Sequence, residues 1–230
     1  MDPTILDNIP WEVDLQRLMQ QLAIREGDSH EEKVRTMAAE AEANGKPKAL
    51  YKAALIESRG EDHVVIEGLT FQSRVLAVNL AKVNRAFPFV ATCGVELEEW
   101  SRSFSSVLER FWADTINGMV LGVSILALLE HIQDQHHPGD LSMMNPGSID
   151  SWSLSEQRAL FTLLGDPEAS IGVELMESCF MKPGMSTSGI WFPTEDHYEN
   201  CMLCPMERCP GRRAAYDKNL YEKKYKKNSI

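Results

Sequence analysis

Residues 177–192, ESCFMKPGMSTSGIWF, are the most informative part of the sequence for the fold. It contains two extended segments around a Pro-Gly break at positions 183 and 184, which predicts a strand, a turn and a second strand. Strand side chains alternate between the two faces of a sheet, so Glu177, Cys179 and Met181 are expected on one face. The small residues at positions 186–189 would leave room for a ligand beside the second strand.

The segments before this stretch predict a mixed fold of helices and strands. Residues 63–71 and 87–94 are expected as strands around a helix, and residues 95–135 as helical with a break near 102–106. The apolar part of that helical region, residues 111–132, is expected to be the central buried helix. A capping box of Ser153 and Glu156 predicts a helix that ends at Gly165. Strands at 172–181 and 187–193 complete an α/β fold of the α+β type.

The chain divides by composition into three segments. Residues 1–60 are predicted to be a helical N-terminal extension, whose third helix covers residues 48–58. Residues 61–200 form the mixed domain. Residues 201–230 combine a cysteine-rich loop with a basic C-terminal helix and carry eight Lys and Arg against three acids.

Charge and hydropathy limit the classes of partner and location. The net charge of −11 argues against nucleic acid, because binding to phosphates needs a basic surface. The N-terminus has no basic and apolar leader, and the longest apolar run, residues 119–129, is too short to cross a bilayer. A cytoplasmic protein without a membrane partner is therefore expected. Phosphate-cradling loops and nucleophile elbows are absent from the sequence, so hydrolase and kinase functions have no support.

The cysteine spacing near the C-terminus predicts a metal site. Cys201, Cys204 and Cys209 offer three thiolates within one loop, and a proline follows each of the last two, as in iron–sulfur loops. Zinc would also accept three such ligands together with a fourth. The candidates for that fourth ligand are Cys179, Cys93, His197 or a substrate. Free thiols are the alternative interpretation, which the crowding of three cysteines makes weaker.

These motifs resemble the activation domain of cobalamin-dependent methionine synthase. The resemblance extends back through the Pro146-Gly147 turn and covers roughly residues 69–198. The chain is most similar to stand-alone, cysteine-tailed relatives from anaerobes, because its end also contains a cysteine group followed by Pro-Gly-Arg-Arg. The matching signature consists of Glu177-Ser178, Met181, Pro183, Ser186, Ser188-Gly189 and Phe192.

The resemblance implies a bent antiparallel sheet with flanking helices that binds S-adenosylmethionine and presents it to an oxidised corrinoid on a partner protein. Met143 stands where the family has an arginine, and Ser148 replaces an aromatic residue. Arginine is the natural bidentate partner of the methionine carboxylate, so weaker binding is expected here. The positions implied for the cofactor are Asn145, Pro146, Gly147, Glu177, Ser178, Ser186, Ser188, Gly189 and Tyr198.

Three functions follow from these observations. The first is an accessory protein that binds S-adenosylmethionine and supports reductive reactivation of a corrinoid methyltransferase, in a system like that of methionine synthase. The second is an iron–sulfur electron carrier that docks on a corrinoid protein without binding the methyl donor. The third is a zinc-stabilised interaction module. Iron–sulfur is favoured over zinc because reactivation of a corrinoid needs a low-potential electron. No catalytic residue is assigned.

Overall fold

A computed structural model describes residues 2–209 and 211–226, which form ten strands and seven α-helices. The first half of the chain contains β1 (Thr4–Leu6), α1 (Leu15–Gln21), α2 (Glu31–Asn44), β2 (Lys48–Tyr51), β3 (Ala54–Arg59), β4 (His63–Ile66), β5 (Leu69–Gln72), α3 (Arg74–Asn79) and β6 (Arg85–Thr92). The second half contains α4 (Val95–Ser103), α5 (Val107–His136), β7 (Leu141–Met144), α6 (Gln157–Leu164), α7 (Pro167–Ile171), β8 (Glu174–Leu175), β9 (Met181–Lys182) and β10 (Ser186–Pro193).

Strand β6 is the centre of an eight-stranded antiparallel sheet. One edge of β6 pairs with β10, which in turn pairs with β7. The other edge pairs first with β2 and then, at two positions, with β3. Strand β3 then leaves β6 to pair with β4, and its register shifts between Ile56 and Ser58. A bulge of this kind increases the local bend, which explains why the sheet curls.

The central strand is buried on both faces because helices cover both sides of the sheet. Phe87 and Phe89 belong to a core shared with Leu128 and Ile132 of α5. Val90, which points to the opposite face, packs in the core that contains α3 and α6. The uninterrupted apolar sequence of residues 86–91 fits this position, and the predicted bent sheet with flanking helices is confirmed.

The long helix α5 begins where the sequence predicts, after a break that follows α4. The Ser106 side chain accepts a hydrogen bond from the Glu109 amide and caps the helix. With 30 residues, α5 is long and apolar enough to cross a membrane, which corrects the expectation based on its shorter apolar run. Only one face is buried, however, so the expected central buried helix is half exposed. That face packs through Trp112, Ala113, Ile116, Asn117, Val120, Ser124, Leu128 and Ile132.

The N-terminal segment departs from its sequence prediction. Helices α1 and α2 form, but the third helix predicted for residues 48–58 is wrong, because β2 and β3 occupy those positions. Both strands belong to the main sheet, although they precede the expected segment boundary at residue 60. The single strand expected at residues 63–71 is the hairpin β4–β5, with Glu67 and Gly68 in its turn at positive φ.

The strand expected at residues 172–181 is also wrong. Its ends form the two-residue strands β8 and β9, and residues 176–180 form a tight turn between them. The Met176 amide donates to the Phe180 carbonyl, and Cys179 lies at a φ of 64°. Alternation along one strand therefore does not apply to Glu177, Cys179 and Met181. A chain that must reverse within five residues cannot remain extended.

The remaining sequence predictions have mixed outcomes. Helix α6 ends before Gly165, and β10 covers the predicted second strand, as expected. In place of a basic C-terminal helix there is a single π-helical turn, Tyr221–Tyr225. The last four residues of that expected helix lie outside the described part of the chain.

Replacing Gly189 with alanine should destabilise the fold. A Cβ at this position would lie 2.4 Å from the Met144 carbonyl oxygen and 2.7 Å from the Asn145 side-chain nitrogen Nδ2, so the end of β7 would have to move. Overpacking of this kind costs about 1–3 kcal/mol. Urea unfolding should therefore show a lower free energy of unfolding for Gly189→Ala.

The matched control is Gly122→Ala on α5, where nothing lies within 4 Å of the added carbon. Alanine is the better helix former by about 0.5–1 kcal/mol, so this variant should be equally stable or more stable. Equal effects of the two substitutions would show that the β7–β10 contact is not tight.

Candidate functional site

A hydrogen-bonded cluster around Asn145 joins the end of β7 to β10. The Asn145 Nδ2 donates to the Ser188 carbonyl oxygen at 2.8 Å, and its Oδ1 accepts from Asn200 Nδ2 at 2.9 Å. The Tyr198 amide donates to the Ser142 hydroxyl at 2.9 Å. The structure thus brings together four predicted positions, Asn145, Ser188, Gly189 and Tyr198. It adds Asn200, which no sequence pattern indicated.

The Pro146-Gly147 turn continues from this cluster. Gly147 has a φ of 79°, and its amide donates to the Trp152 carbonyl oxygen at 2.8 Å. Glycine is favoured here because other residues rarely adopt this positive φ. In addition, a Cβ would lie 2.8 Å from the Leu154 side chain, which is too close. Gly189 likewise makes room for Met144 and Asn145. Protein atoms therefore lie beside both glycines, and a role of these positions in binding a ligand stays a prediction.

Several buried polar atoms near the cluster have no hydrogen-bond partner among the described residues. They include the Ser188 hydroxyl, the Tyr198 hydroxyl and the Trp152 indole nitrogen. Burial raises the pKa of Tyr198 far above its usual range, so this phenol stays protonated and can donate. Buried groups of this kind are normally satisfied, which leaves these atoms available to water or to a ligand.

A cavity of about 420 Å³ lies between the turn after Gly147 and the C-terminal segment. It is bounded by residues 149–151, which come just after the predicted ligand turn, and by the C-terminal part of the chain. Its volume suits a small organic molecule. The cavity is lined by residues with aromatic rings, by two residues with carboxylates and by one with an ammonium group. The lining residues are Ile149, Asp150, Ser151, Leu203, Tyr216, Asp217, Lys218 and Tyr221.

The other predicted ligand residues lie elsewhere. Glu177 and Ser178 are exposed in the β8–β9 turn, and within the described chain no hydrogen bond joins them to the Asn145 cluster. Ser186 donates to the Thr92 hydroxyl at 2.9 Å and lines a separate cavity of about 380 Å³. That cavity also contains Glu98, whose carboxylate accepts from the Gly184 amide at 3.0 Å.

Arg212 organises the cysteine loop. Its guanidinium donates to the carbonyl oxygens of Cys201, Cys204, Met206 and Ala214. A planar guanidinium with five donors can hold several carbonyls at once, whereas lysine cannot match that geometry. Arg212 thus holds the loop together through these carbonyl contacts.

The three cysteines share this loop but do not form a metal-binding group. Among the described residues, no set of three or more His, Cys, Asp or Glu side chains is close enough to hold an ion. The Cys201 sulfur accepts a hydrogen bond from the Arg213 amide at 3.4 Å, a contact that suits a thiolate. Three cysteines on one loop remain a suitable donor set, although the loop would have to close to bring the sulfurs together.

The candidates for a fourth ligand lie in different surroundings. Cys93 is fully buried in the core formed by α1, α2, α4 and α5, and burial raises the pKa of its thiol to about 12. Cys179 is also buried, in the β8–β9 turn. His197 is largely exposed, 3.9 Å from the Glu199 carboxylate. A thiol with the pKa of Cys93 stays protonated at neutral pH, which makes it a poor metal ligand.

Comparison with known proteins identifies the fold. No protein-family model and no curated protein matches the chain. Among solved structures, the MetH reactivation domain bound to AdoHcy is similar with a TM-score of 0.62 and 13% sequence identity, over 87% of this chain and 82% of that one. The fold is that of the MetH reactivation domain. The resemblance seen in the sequence is thereby confirmed for the curled antiparallel sheet and its helices.

Replacing Arg212 with lysine should loosen the cysteine loop. Lysine keeps the charge but cannot bond four carbonyls, and each hydrogen bond to a charged group contributes about 1.5–3 kcal/mol. Thiol labelling of the metal-free protein at Cys201, Cys204 and Cys209 should become at least about tenfold faster.

Arg208→Lys is the matched control, because Arg208 is exposed in the same loop. It should leave the labelling rates unchanged. If both variants react alike, Arg212 does not hold the loop.

Proposed function

We propose that this protein binds S-adenosylmethionine and supports the reductive reactivation of a corrinoid methyltransferase. The observation that carries the proposal is the shared fold with a reactivation domain whose solved structure holds AdoHcy. The cavity between residues 149–151 and the C-terminal segment supports the proposal, because it offers a suitable place for such a ligand. The corrinoid belongs to a partner protein, and this chain and that partner act in the cytoplasm.

The cavity matches the chemical groups of the methyl donor. Tyr216 and Tyr221 offer aromatic surfaces on which an adenine ring can stack. The carboxylates of Asp150 and Asp217 favour a sulfonium cation. Lys218 supplies a cation for the methionine carboxylate, the group that Met143 cannot bind. Since ammonium is a point charge without the bidentate fork of arginine, the expected affinity stays below that of arginine-bearing relatives.

The cysteine loop is proposed to hold an iron–sulfur cluster through Cys201, Cys204 and Cys209. When bound, such a cluster supplies the low-potential electron that reactivation requires. The Arg213 amide already donates to the Cys201 sulfur, and hydrogen bonds of this kind stabilise sulfur ligands. Arg212 keeps positive charge within the loop, which opposes the repulsion between thiolates.

An iron–sulfur electron carrier that does not bind the methyl donor is the second candidate. It is favoured by Met143 and Ser148, which replace the arginine and the aromatic residue of the family turn, and by the absence of Glu177 from the Asn145 cluster. Zinc in the cysteine loop would instead indicate an interaction module.

Titration calorimetry with S-adenosylmethionine tests the ligand. Asp217→Asn should weaken binding about ten- to a hundredfold, because a charged contact is lost. The variant should fold normally, since the Asp217 oxygen that accepts from the Asn219 amide has an equivalent in asparagine. Asp134→Asn, an exposed carboxylate on α5, is the control and should bind like the parent.

Glu177→Gln distinguishes this cavity from the site expected from the sequence, since it should have no effect. A loss of affinity in Glu177→Gln alone would place the ligand at the β8–β9 turn. Absence of binding at millimolar ligand would reject the methyl donor and leave the electron carrier, which can be tested by mixing the reduced protein with an oxidised corrinoid methyltransferase.

Anaerobic reconstitution with iron and sulfide tests the cysteine loop. The parent should gain visible absorption and stoichiometric iron, and Cys204→Ser should lose most of both because one of three thiolate ligands is missing. Met206→Ala, an exposed change in the same loop, should retain the cluster. Retention of iron by Cys204→Ser would show that these cysteines are not the ligands, and zinc in place of iron would support the interaction module.

A further inference from the structure

The cavity of about 380 Å³ that Ser186 lines is bounded by α4, the start of α6 and the β8–β9 turn. It shares no lining residue with the cavity proposed for the methyl donor. Its volume is near the lower end of the range for small-molecule sites, which begins at about 300 Å³. A ligand bound there would therefore occupy a separate site.

The side chain of Gln157 lines this cavity with an unpaired buried atom. Gln157 is the first residue of α6 and is only 4% exposed. Its side-chain oxygen Oε1 accepts no hydrogen bond from any residue that the structure describes. An unpaired buried amide oxygen costs stability, and such atoms are normally satisfied by protein, water or a ligand. A ligand in the cavity can supply the missing donor.

Glu98 and Arg102 of α4 bring opposite charges side by side to the same cavity. Arg102 Nη2 donates to Glu98 Oε1 at 2.9 Å, and the Gly184 amide donates to the same oxygen at 3.0 Å. The Glu98 side chain is largely buried, with 14% exposed, and that of Arg102 is 60% exposed. The second carboxylate oxygen can still accept a hydrogen bond, and the guanidinium has further N–H donors.

This charge pair matches the head group of a free α-amino acid. A single carbon atom joins the ammonium and the carboxylate of such a molecule, so they need an anion and a cation as close neighbours. The ammonium can donate to Glu98 and to the Gln157 oxygen, and Arg102 can donate to the carboxylate. Lys182, which is exposed and lines the same cavity, adds a second positive charge.

Apolar side chains of the β8–β9 turn line the cavity beside these polar groups. They belong to Met176, Phe180 and Met181. Phe180 is 62% exposed and Met176 is 37% exposed, so part of this apolar surface is open to a ligand. Methionine side chains are flexible and adapt to irregular shapes. The cavity therefore combines a site for a charged head group with a site for an apolar side chain.

We propose that this cavity binds a free α-amino acid with an apolar side chain. Its ammonium contacts Glu98 and Gln157, its carboxylate contacts Arg102, and its side chain packs on Met176 and Phe180. This site does not depend on the cavity proposed for the methyl donor. S-adenosylmethionine carries an amino acid head group as well, so it is one of the ligands to be tested.

Titration calorimetry of the full chain with L-leucine and with L-methionine tests the proposal. Both should bind with dissociation constants below about 1 mM. Isocaproate is leucine without the ammonium, and isoamylamine is leucine without the carboxylate. Each should bind at least about tenfold more weakly than L-leucine, because a charged contact is lost. Glycine should also bind more weakly, because it lacks the apolar side chain.

Gln157→Met removes the amide and keeps the length of the side chain. It should weaken L-leucine binding about tenfold, because the oxygen that accepts from the ammonium is missing. Thermal unfolding should show a variant at least as stable as the parent, because the unpaired buried oxygen is also removed. The control is Gln21→Met at an exposed position of α1, which should bind L-leucine like the parent.

Arg102→Gln tests the contact with the carboxylate. It should weaken L-leucine binding at least about tenfold and should leave the weak binding of isoamylamine unchanged, because that ligand has no carboxylate. Arg17→Gln, an exposed change on α1, is the matched control and should have no effect on either ligand.

Hydrogen exchange locates the bound amino acid. With L-leucine present, the backbone amides of residues 176–184 should exchange more slowly, because the ligand covers the β8–β9 turn. Titration of Gln157→Met with S-adenosylmethionine should match that of the parent, so the two proposed sites can fail independently.

Four results would overturn the proposal. The first is no binding of L-leucine or L-methionine at about 10 mM ligand. The second is L-leucine binding that neither Gln157→Met nor Arg102→Gln weakens, which would place the ligand elsewhere. The third is isocaproate binding as tight as that of L-leucine, which would indicate a site for apolar carboxylates. The fourth is loss of S-adenosylmethionine binding in Gln157→Met, which would assign this cavity to the methyl donor.

Discussion

The structure depends on the close approach of β7 to β10 at Gly189. The absence of a side chain there lets the Met144 carbonyl oxygen and the Asn145 side-chain nitrogen approach the strand more closely than a Cβ would permit. The Asn145 side chain then bonds the Ser188 carbonyl and Asn200. This contact fixes where the chain leaves β7, and hence where the Pro146-Gly147 turn and the cavity beyond it lie.

The C-terminal segment is part of the core, although its composition suggests a solvated tail. Tyr225 is fully buried, and its hydroxyl donates to the Asn79 side chain at 2.9 Å. Its carbonyl accepts from Arg74 on α3 at 3.0 Å. The segment after the cysteines is thereby tied to the body, and Tyr216 to Tyr221 must pass beside the turn that follows Gly147. The cavity forms because the C-terminal segment packs back against the body of the protein.

Helix α5 has an inner face that is buried in the protein and an outer face that is exposed. The inner face packs on the sheet and on α2 and α4, where Ser124 bonds the Thr92 carbonyl and Asn117 bonds the Leu97 carbonyl. These buried polar groups fix the rotation of the helix about its axis. This rotation leaves Val107, Phe111 and Leu126 exposed on the outer face, because the sequence is apolar around most of the helix.

Elements that depend on a local pattern of residues could be predicted from the sequence. The second strand at residues 187–193, the apolar β6, the break before α5 and the stop at Gly165 each carry a propensity that the fold keeps. The resemblance to the activation domain also followed from residues alone, because its motif occurs without a gap. Three cysteines in one loop were equally visible, although their role as ligands stays a prediction.

Other features depend on contacts between segments that are far apart in the chain. Residues 48–58 are compatible with helix or strand, and the free edge of β6 selects strand because it offers backbone hydrogen-bond partners. Glu177 lies away from the expected site because the chain reverses between β8 and β9. No Pro or Gly within residues 176–180 indicates this turn in the sequence. The cavity joins positions about 70 residues apart in the chain, and Arg212 bonds carbonyls that no periodicity links. Contacts of this kind depend on how separated segments meet, and no single stretch of sequence encodes that.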